Sequence, residues 1–444
     1  MTAFDRTFDD NRSVWLAEAA AESPSPPLAR DLTADVAIIG GGFTGVSTAY
    51  HLSKRRPGLG IVLLEAKSLG NGASGRSGGM MLNGVSPFAH DVQQIAREHA
   101  LTTDAIDQLI GLIDEHKLPV RYRRDGSLKV WTTARAAELA HAEAEQLAAL
   151  GVPVSFVAGA ELERIIRAHG AAGATIDRSE GVLNGVDLIR AMRPLLVTQG
   201  VTIHESTQVT RVAEGKTIAL TTPRGTVRAN AIVLATNGYT PKLGYFRTGI
   251  LPVISHVIAS QPLSPEQLAR GFGTATAFSD DLPRLAYACV DPQGRVVFGG
   301  GSNASYGYHF GNRTTARGAV AGDDAAGRAL RATMTAYFPE LGAIGFPYRW
   351  SGPLGLTLRR HCAIGVMGEH RNVYYALGYS GHGVVLGNMA GRVIADLYEA
   401  NHEPWQDYAF YMYRPSGIPP EPMRWLGYHA YTRLTGRSPW KRLG

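Results

Sequence analysis

The chain is poor in cysteine and has no long hydrophobic run. Its 444 residues include only two cysteines, Cys289 and Cys362, which lie far apart and outside any CxxC pattern. This spacing argues against a disulfide framework and a cysteine-ligated metal site, and it predicts a reducing, cytoplasmic compartment. The sequence shows no signal-peptide pattern and no run of about eighteen apolar residues, so no transmembrane segment is predicted.

Patterns typical of metal and nucleic-acid binding are also scarce. The fourteen histidines are scattered without an HExxH motif, so no metal site is predicted. The net charge of +6 is spread thinly, which predicts no nucleic-acid partner. The one local excess lies in residues 421–444, where five Lys or Arg accompany Trp425, Tyr428, Tyr431 and Trp440. Such a tail can contact a membrane surface peripherally, or it can pack on its own protein, which is the favoured interpretation.

Residues 35–65 contain a strand, a glycine turn, a helix and a second strand in succession. An apolar run, Val36–Ile39, ends in the glycine-rich sequence GGGFTG at 40–45, and a helical stretch follows to Lys54. A second apolar run, Ile61–Leu64, ends at Glu65. This order is typical of a dinucleotide-binding βαβ unit.

Each residue type in this unit has a physical reason. Gly40 permits the tight turn, Gly42 lets the backbone approach a pyrophosphate, and Gly45 lets the helix pack closely on the strand. The helix N-terminus, at Phe43 and Thr44, offers N–H groups and partial positive charge to phosphates. Glu65 is placed to accept ribose hydroxyls and to repel a 2′-phosphate, which argues against NADP. The motif alone leaves FAD and NAD open.

Three later segments combine glycines with small polar residues at the ends of apolar runs. The first is GASGRSGG at 72–79, the second is ATNGYT at 235–240, and the third is NVYYALGYSGHGV at 372–384, followed by a helical pattern to about Tyr398. The sequence also predicts a strand pair around Asp125-Gly126 and a helix over 314–337.

With these segments the chain resembles the D-amino-acid oxidase superfamily of FAD-dependent amine oxidases, in particular its glycine and sarcosine oxidase branch. Within that branch it is most similar to the bacterial γ-glutamylputrescine oxidase-like group. The segments IIGGGFTGVSTAYHL with Glu65, GASGRSGG, ATNGYT and NVYYALGYSGHGV occur in the family's order, so the resemblance spans about residues 35–400.

The resemblance implies FAD as the cofactor, held without a covalent bond because no cysteine lies near Gly352. It implies that residues 72–80 follow the pyrophosphate and ribityl chain, that Val209 meets the adenine, and that residues 381–384 face the pyrimidine end of the flavin. The full set of implied FAD-binding residues is Gly40, Gly42, Phe43, Thr44, Gly45, Glu65, Ala66, Gly72, Ala73, Ser74, Arg76, Ser77, Gly78, Gly79, Met80, Val209, Ala235, Thr236, Asn237, Gly238, Gly352, Gly381, His382, Gly383 and Val384.

Four side chains are candidates for the catalytic pocket. His256 lies in a strand that the resemblance places beside the flavin ring, although a histidine in an alternating strand is more often structural. Tyr287 and Trp350 are candidate pocket walls, with the core as the alternative location. His382 lies in the Gly-His-Gly turn, where a structural role competes with acid–base chemistry.

The predicted fold is α/β + β, a Rossmann-like FAD-binding domain interleaved with a β-rich substrate domain. The predicted boundaries are 1–33 for an N-terminal arm; 34–90, 181–240 and 346–400 for the FAD-binding domain; 91–180 and 241–345 for the substrate domain; and 401–444 for a C-terminal extension.

The predicted function is oxidation of a primary or secondary amine or amino acid to an imine, with oxygen reduced to hydrogen peroxide. Sarcosine oxidases carry a lysine shortly after the Gly-His-Gly turn, where this chain has Val384-Val385-Leu386. A dehydrogenase that uses a quinone or a carrier protein therefore stays open as an alternative. A non-catalytic flavin-binding protein is a further one, and an NAD-only dehydrogenase is a fourth.

Overall fold

The computed structural model describes residues 12–19, 23–85, 91–314, 325–341 and 343–435. The strands that these residues form are β1 Leu32–Ile39, β2 Ile61–Leu64, β3 Met80–Met81, β4 Tyr122–Arg123, β5 Ser127–Trp131, β6 Val154–Val157, β7 Gly173–Asp177, β8 Gly181–Leu183, β9 Thr202–His204, β10 Arg211–Ala213, β11 Ile218–Thr222, β12 Gly225–Leu234, β13 Leu251–Ala259, β14 Ala277–Asp280, β15 Ala286–Val290, β16 Val296–Gly300, β17 Tyr306–Tyr308, β18 Tyr348–Leu356, β19 Ala363–Met367 and β20 Val373–Leu377.

The helices cover the faces of the sheets that these strands build. They are α1 Val14–Glu18, α2 Phe43–Arg55, α3 Val92–Glu115, α4 Ala134–Ala149, α5 Gly159–Ile165, α6 Gly185–Thr198, α7 Pro265–Ala269, α8 Ala325–Tyr337, α9 Gly383–Tyr398 and α10 Met423–Thr435, with 3-10 turns at Ala73–Arg76, Asn237–Leu243 and Pro339–Leu341. Among the helices of the described residues, none has the length and hydropathy to span a bilayer.

An eight-stranded sheet forms the first layer of the fold. Its order is β10-β11-β12-β1-β2-β9, and β20 pairs with both β12 and β19. The pairs β12–β1, β1–β2, β2–β9 and β12–β20 are parallel. Alternate residues of β1 enter different cores: Val36 and Ile38 pack with one set of buried side chains, Ala37 and Ile39 with another. Burial on both faces explains why the run is apolar throughout, as in parallel sheets generally.

A nine-stranded sheet forms the second layer, in the order β17-β13-β16-β15-β14-β5-β7-β6 with β18 along β13. One face of this sheet packs on α8 through Ile258, Phe298 and Leu330. The opposite face packs on α1 and on β3 through Val257, Trp350 and Trp15. This second face points toward the glycine-rich segment 72–80.

The predicted α/β + β fold class is confirmed. The predicted pairing around Asp125-Gly126 is wrong: β4 pairs with β8 and β5 pairs with β7, in different sheets. A glycine at 126 with φ of +88° turns the chain between the two sheets instead of closing a hairpin. Of the predicted helix over 314–337, Ala325–Tyr337 is helical, and residues 315–324 lie outside the described residues.

The two sheets interleave along the chain, and the domain boundaries stay a prediction. The eight-stranded sheet takes strands from each of the three segments predicted for FAD binding. However, β18, which lies within the predicted 346–400 segment, pairs with β13 in the nine-stranded sheet.

Candidate cofactor and substrate site

A long groove opens at the carboxyl ends of the central parallel strands. It encloses about 1570 Å³, counting space open to solvent, and begins where Ile39 and Leu64 end β1 and β2. A crevice at this edge is where parallel α/β sheets bind their ligands. Of the predicted FAD-binding residues, the groove brings together Gly40, Gly42, Phe43, Thr44, Glu65, Ala66, Gly72, Ala73, Ser74, Ser77, Val209, Ala235, Thr236, Asn237, Gly381, Gly383 and Val384.

Eight other predicted FAD-binding residues do not line this groove. They lie behind its wall or beside it, and they are Gly45, Arg76, Gly78, Gly79, Met80, Gly238, Gly352 and His382. Gly45 has a packing reason of its own, because a Cβ there would overlap the carbonyl oxygen of Gly40. Met80 is buried in β3 against Val182, and Gly79 has a φ of +80°.

Two helix N-termini face the groove without a side-chain cap from their N-cap residues. Gly42 is the N-cap of α2 and His382 is the N-cap of α9. The N–H of Phe43 donates to Ser74 Oγ at 3.1 Å. Uncapped helix starts carry unsatisfied N–H donors and partial positive charge, so both ends suit anionic groups. A dinucleotide pyrophosphate and a reduced flavin are groups of this kind, and the residues present therefore fit FAD.

The helices α2 and α9 cross closely enough to bring these two ends to one groove. A Cβ at Gly391 would overlap Ser47, and one at Gly387 would lie 3.2 Å from Phe43 Cβ. The hydroxyls of Thr44 and Tyr379 are 2.6 Å apart, which joins the first turn of α2 to the turn that precedes α9.

Glu65 ends β2 with its carboxylate held by backbone groups. Oε2 accepts the N–H of Gly41 at 2.8 Å and Oε1 accepts the N–H of Lys67 at 2.9 Å. Burial raises the pKa of Glu65, and these two N–H donors oppose that shift. The fixed side chain lines the groove at the position that the sequence motif predicts for ribose recognition.

Arg76 and Trp350 lock the glycine-rich segment onto the second sheet. Trp350 is fully buried and its Nε1–H donates to the carbonyl oxygen of Arg76 at 2.9 Å. The Arg76 guanidinium donates to the carbonyls of Asn71 at 3.1 Å and Ser351 at 3.4 Å. Burial lowers the pKa of Arg76. Gly352 makes room, because a Cβ there would lie 2.8 Å from Arg76 Cβ.

Tyr287 lies on the sheet face that looks toward the glycine-rich segment. Its ring covers Gly78, where a Cβ would lie 2.7 Å from Cε2, and its hydroxyl is 3.5 Å from Ser255 Oγ. Burial raises the pKa of Tyr287 to about 12, so its phenol is protonated at neutral pH. Tyr306 is the cross-strand neighbour of Ser255 and adds a second phenol to this face.

His256 is not brought together with the groove. Side chains alternate between the two faces along β13. Ser255 and Val257 lie on the face toward the glycine-rich segment, so His256 points to the opposite face. Its backbone N–H donates to the carbonyl oxygen of Ser305 at 2.9 Å.

His382 is half-buried at the start of α9, beside the groove-lining Gly381 and Gly383. Burial, and then the positive charge of Lys129, lower the pKa of His382 to about 4. The imidazole is therefore neutral at physiological pH, which suits a positioning group better than a proton donor.

Several residues of the site were missed from the sequence. Asn71, Tyr239, Lys242 and Tyr379 all line the groove. Burial lowers the pKa of Lys242 and raises that of Tyr239 to about 12. The available signal was their position inside or next to the GASGRSGG, ATNG and YSGHG segments.

The arm before β1 also reaches the site from behind. Trp15 Nε1–H donates to the carbonyl oxygen of Ser77 at 2.9 Å, and the Ser13 hydroxyl donates to that of Gly75 at 2.5 Å. No sequence motif marks these two contacts.

Comparison with a family model shows a match over residues 35–397 to DAO, FAD dependent oxidoreductase. The chain is 27% identical over 412 residues to γ-glutamylputrescine oxidoreductase of Escherichia coli strain K12, covering 89% of this chain and 91% of that protein. It is 25% identical over 383 residues to glycine oxidase of Geobacillus kaustophilus, covering 82% of this chain and 93% of the relative.

Solved structures show the same fold. The crystal structure of glycine oxidase from Geobacillus kaustophilus superposes with a TM-score of 0.70 at 22% identity, covering 88% of this chain and 100% of the other. L-proline dehydrogenase from P. horikoshii gives a TM-score of 0.69 at 19% identity, covering 92% and 100%.

Proposed function

Because the chain belongs to the family of FAD-dependent oxidoreductases matched over residues 35–397, we propose that it oxidises the C–N bond of a primary or secondary amine or amino acid to an imine. Relatives that span most of the chain are named for such reactions: γ-glutamylputrescine oxidoreductase, glycine oxidase and 4-methylaminobutanoate oxidase. FAD is the cofactor, and we infer that it is held without a covalent bond.

One observation carries the proposal: Tyr287, Ser255 and Gly78 meet on the sheet face beside the cofactor groove. The two hydroxyls offer hydrogen bonds, and the absence of a side chain at Gly78 lets the phenol ring pack directly on the glycine-rich segment. We infer a substrate chamber between this sheet face and the cofactor groove, where a few polar groups would suit an uncharged amine.

Bound FAD supplies the electron-pair acceptor. In the proposed reaction the C–H bond next to nitrogen breaks, its hydride leaves, and the nitrogen lone pair forms the C=N bond. The substrate nitrogen then releases a proton. Tyr287 and Ser255 orient the amine, and the start of α9 stabilises the negative charge that accumulates on the reduced cofactor.

Oxygen is the proposed acceptor, taking two electrons and two protons to give hydrogen peroxide. A quinone or carrier protein is the second candidate, because Val384, Val385 and Leu386 follow the Gly-His-Gly turn where sarcosine oxidases have a lysine. Cys289 and Cys362 are buried free thiols, which supports the proposed cytoplasmic location.

The experiment is to follow the visible flavin spectrum of the holoprotein without oxygen while amines are added. The panel contains γ-glutamylputrescine, glycine, sarcosine, 4-methylaminobutanoate and L-proline. We expect one chemical class to bleach the oxidised flavin band.

Admitting oxygen then identifies the acceptor. Rapid return of the band with stoichiometric peroxide supports the oxidase, whereas slow return that a soluble quinone accelerates supports the dehydrogenase. A flavin band that dithionite bleaches and that no amine in the panel bleaches would count against amine oxidation.

A further inference from the structure

The C-terminal helix α10, Met423–Thr435, attaches to the protein by its polar side. The Arg424 guanidinium is buried and donates to the carbonyl of Pro419 at 2.8 Å and to Asn312 Oδ1 at 2.6 Å. Thr432 is also buried, and its carbonyl accepts Asn303 Nδ2–H at 3.1 Å. The inner face of the helix is therefore held largely by polar contacts, beside the ring contact of Tyr428 with Tyr308.

The opposite side of α10, which we call the outer face, consists of Met423, Leu426, Ala430 and Leu434. These residues are three, four and four positions apart, which puts them on one stripe of a helix. All four are exposed, Leu426 to 57% and Leu434 to 84%. A surface helix normally turns its apolar stripe inward, so this amphipathicity is inverted.

Exposed aromatic rings and an exposed cation flank the outer face. Trp425 and Tyr431 are exposed, and Arg433 is exposed in the last turn. In the sequence, Arg437, Lys441 and Arg442 follow the helix, and residues 423–444 contain no Asp or Glu. Apolar residues with flanking aromatics and cations are the composition of helices that lie in a membrane interface.

We propose that the outer face of α10 binds the surface of an anionic lipid bilayer, with the helix lying in the plane of the interface. Charge argues against a second copy of this chain as the occupant. A twofold dimer through this face would pair two copies of a segment that carries cations and no acid. Anionic headgroups complement the same charges, and acyl chains cover the leucines.

This attachment would orient the substrate domain. Tyr428 packs against Tyr308 of β17 with ring centroids 5.8 Å apart, and Arg284 lies over the Tyr431 ring at 5.8 Å. Tyr306, in the same strand, is the cross-strand neighbour of Ser255. The edge of the nine-stranded sheet next to the proposed substrate chamber would therefore sit close to the lipid.

The test is co-sedimentation of the purified holoprotein with vesicles, which does not depend on turnover or on the substrate. Vesicles of equal parts phosphatidylcholine and phosphatidylglycerol are compared with vesicles of phosphatidylcholine alone, at low and high ionic strength. We expect binding to the anionic vesicles that weakens as salt rises, because surface charges are screened.

The double variant Leu426→Gln, Leu434→Gln should bind the anionic vesicles about tenfold more weakly, since it removes two leucines from the contact. Leu139→Gln is the matched control, because Leu139 is equally exposed, at 57%, in α4. It should bind as the wild type does. The flavin spectrum and melting temperature of each variant verify folding.

Three results would overturn the proposal. The first is a wild-type protein that stays in the supernatant with both kinds of vesicle, and the second is a double variant that binds as tightly as Leu139→Gln. The third is a dimer, measured by sedimentation velocity without lipid, that the double variant alone abolishes; that result would assign the outer face to a second copy of the chain.

Discussion

Glu65 is the residue at which the cofactor turn and the second strand are tied together. Its two oxygens accept from Gly41 and Lys67. Glu65→Gln replaces one of the two carboxylate oxygens by an NH2 group, which cannot accept the backbone N–H that faces it. We expect FAD to bind about tenfold more weakly, since a hydrogen bond to a charged group contributes roughly 1.5 kcal/mol. Titration of apoprotein with FAD, followed by flavin fluorescence, measures this. Glu115→Gln, at an exposed side chain that ends α3, is the control, and equal affinities for both variants would contradict the expectation.

Tyr287 and His256 make opposite predictions because they point to opposite sides of one sheet. Tyr287→Phe keeps the ring on Gly78 and removes only the hydroxyl. We expect kcat/KM for the amine substrate to fall about tenfold, as for one lost hydrogen bond in the transition state, with FAD affinity unchanged.

His256→Asn serves as the comparison, and kcat/KM should change less than about twofold because the side chain faces away from the chamber. A large loss for His256→Asn at an unchanged melting temperature would restore the catalytic role that the sequence predicts for this histidine.

Local glycine patterns were the part of the site that the sequence could predict. Gly40 and Gly42 act through backbone geometry, and Glu65 follows them at a fixed spacing, so their placement in one groove follows from the motif. Trp350 and His256 could not be placed in this way. Which face of a strand looks toward the cofactor depends on how two sheets pack, and period-two alternation does not reveal that.

The short helix α1 braces the cofactor segment from the side opposite to the groove. Trp15 and Ser13 donate to the carbonyls of Ser77 and Gly75. Trp15→Phe keeps most of the apolar contact and loses one hydrogen bond. We expect FAD to dissociate about three- to tenfold faster, because one neutral hydrogen bond contributes about 1 kcal/mol.

The dissociation rate is measured by diluting the holoprotein into an excess of a flavin-binding protein that captures the released FAD. Trp425→Phe, at the exposed face of α10, is the matched control and should leave the rate unchanged. Equal rates for Trp15→Phe and Trp425→Phe would contradict a bracing role for α1.

Helices and strands with one clear hydrophobic periodicity were predicted well. The pairing of strands with partners far away in the sequence was not. The predicted strand Ile61–Leu64 matches the structure, and the predicted helix ending at Lys54 ends at Arg55. The two strands around Asp125 formed, but in different sheets. Their partners come from residues 173–183, a long-range choice that local patterning does not encode.

Across the whole molecule, buried acids and buried histidines give opposite pH dependences. Burial raises the pKa of Glu180 to about 8, and that of Asp280 to about 7, above the values of the unfolded chain. The folded protein then holds protons that the unfolded chain releases, so stability falls as pH rises toward these values. The pKa values of His51 and His382 are lowered to about 4. Below pH 6.5 the unfolded chain binds protons at these histidines that the folded protein does not, so the stability of the protein falls as pH falls through this range.

Between pH 7 and 8 the folded protein releases protons from both Glu180 and Asp280, and Glu180 holds the larger share because its pKa is higher. We expect the wild-type melting temperature to fall by about one to two degrees over this interval, as for one proton in a protein of this size. Glu180→Gln removes the titrating proton while keeping a side chain that can meet Ser127 and Asn83. Scanning calorimetry should show a flatter profile for this variant; an unchanged slope would place the titration elsewhere.

One edge of β12 pairs with two different strands, and this arrangement determines when the eight-stranded sheet can be completed during synthesis. Its first half pairs with β11, but Ile232, Val233 and Leu234 pair with β20, about 140 residues later. Until the ribosome has released residues 373–384, this apolar edge has no partner and the second helix start of the groove does not exist. Nascent chains shorter than this length would therefore neither retain FAD nor shield the edge from neighbouring chains. FAD would therefore bind only after β20 and the start of α9 have been synthesised, and a ribosome stall before β20 would leave an aggregation-prone product.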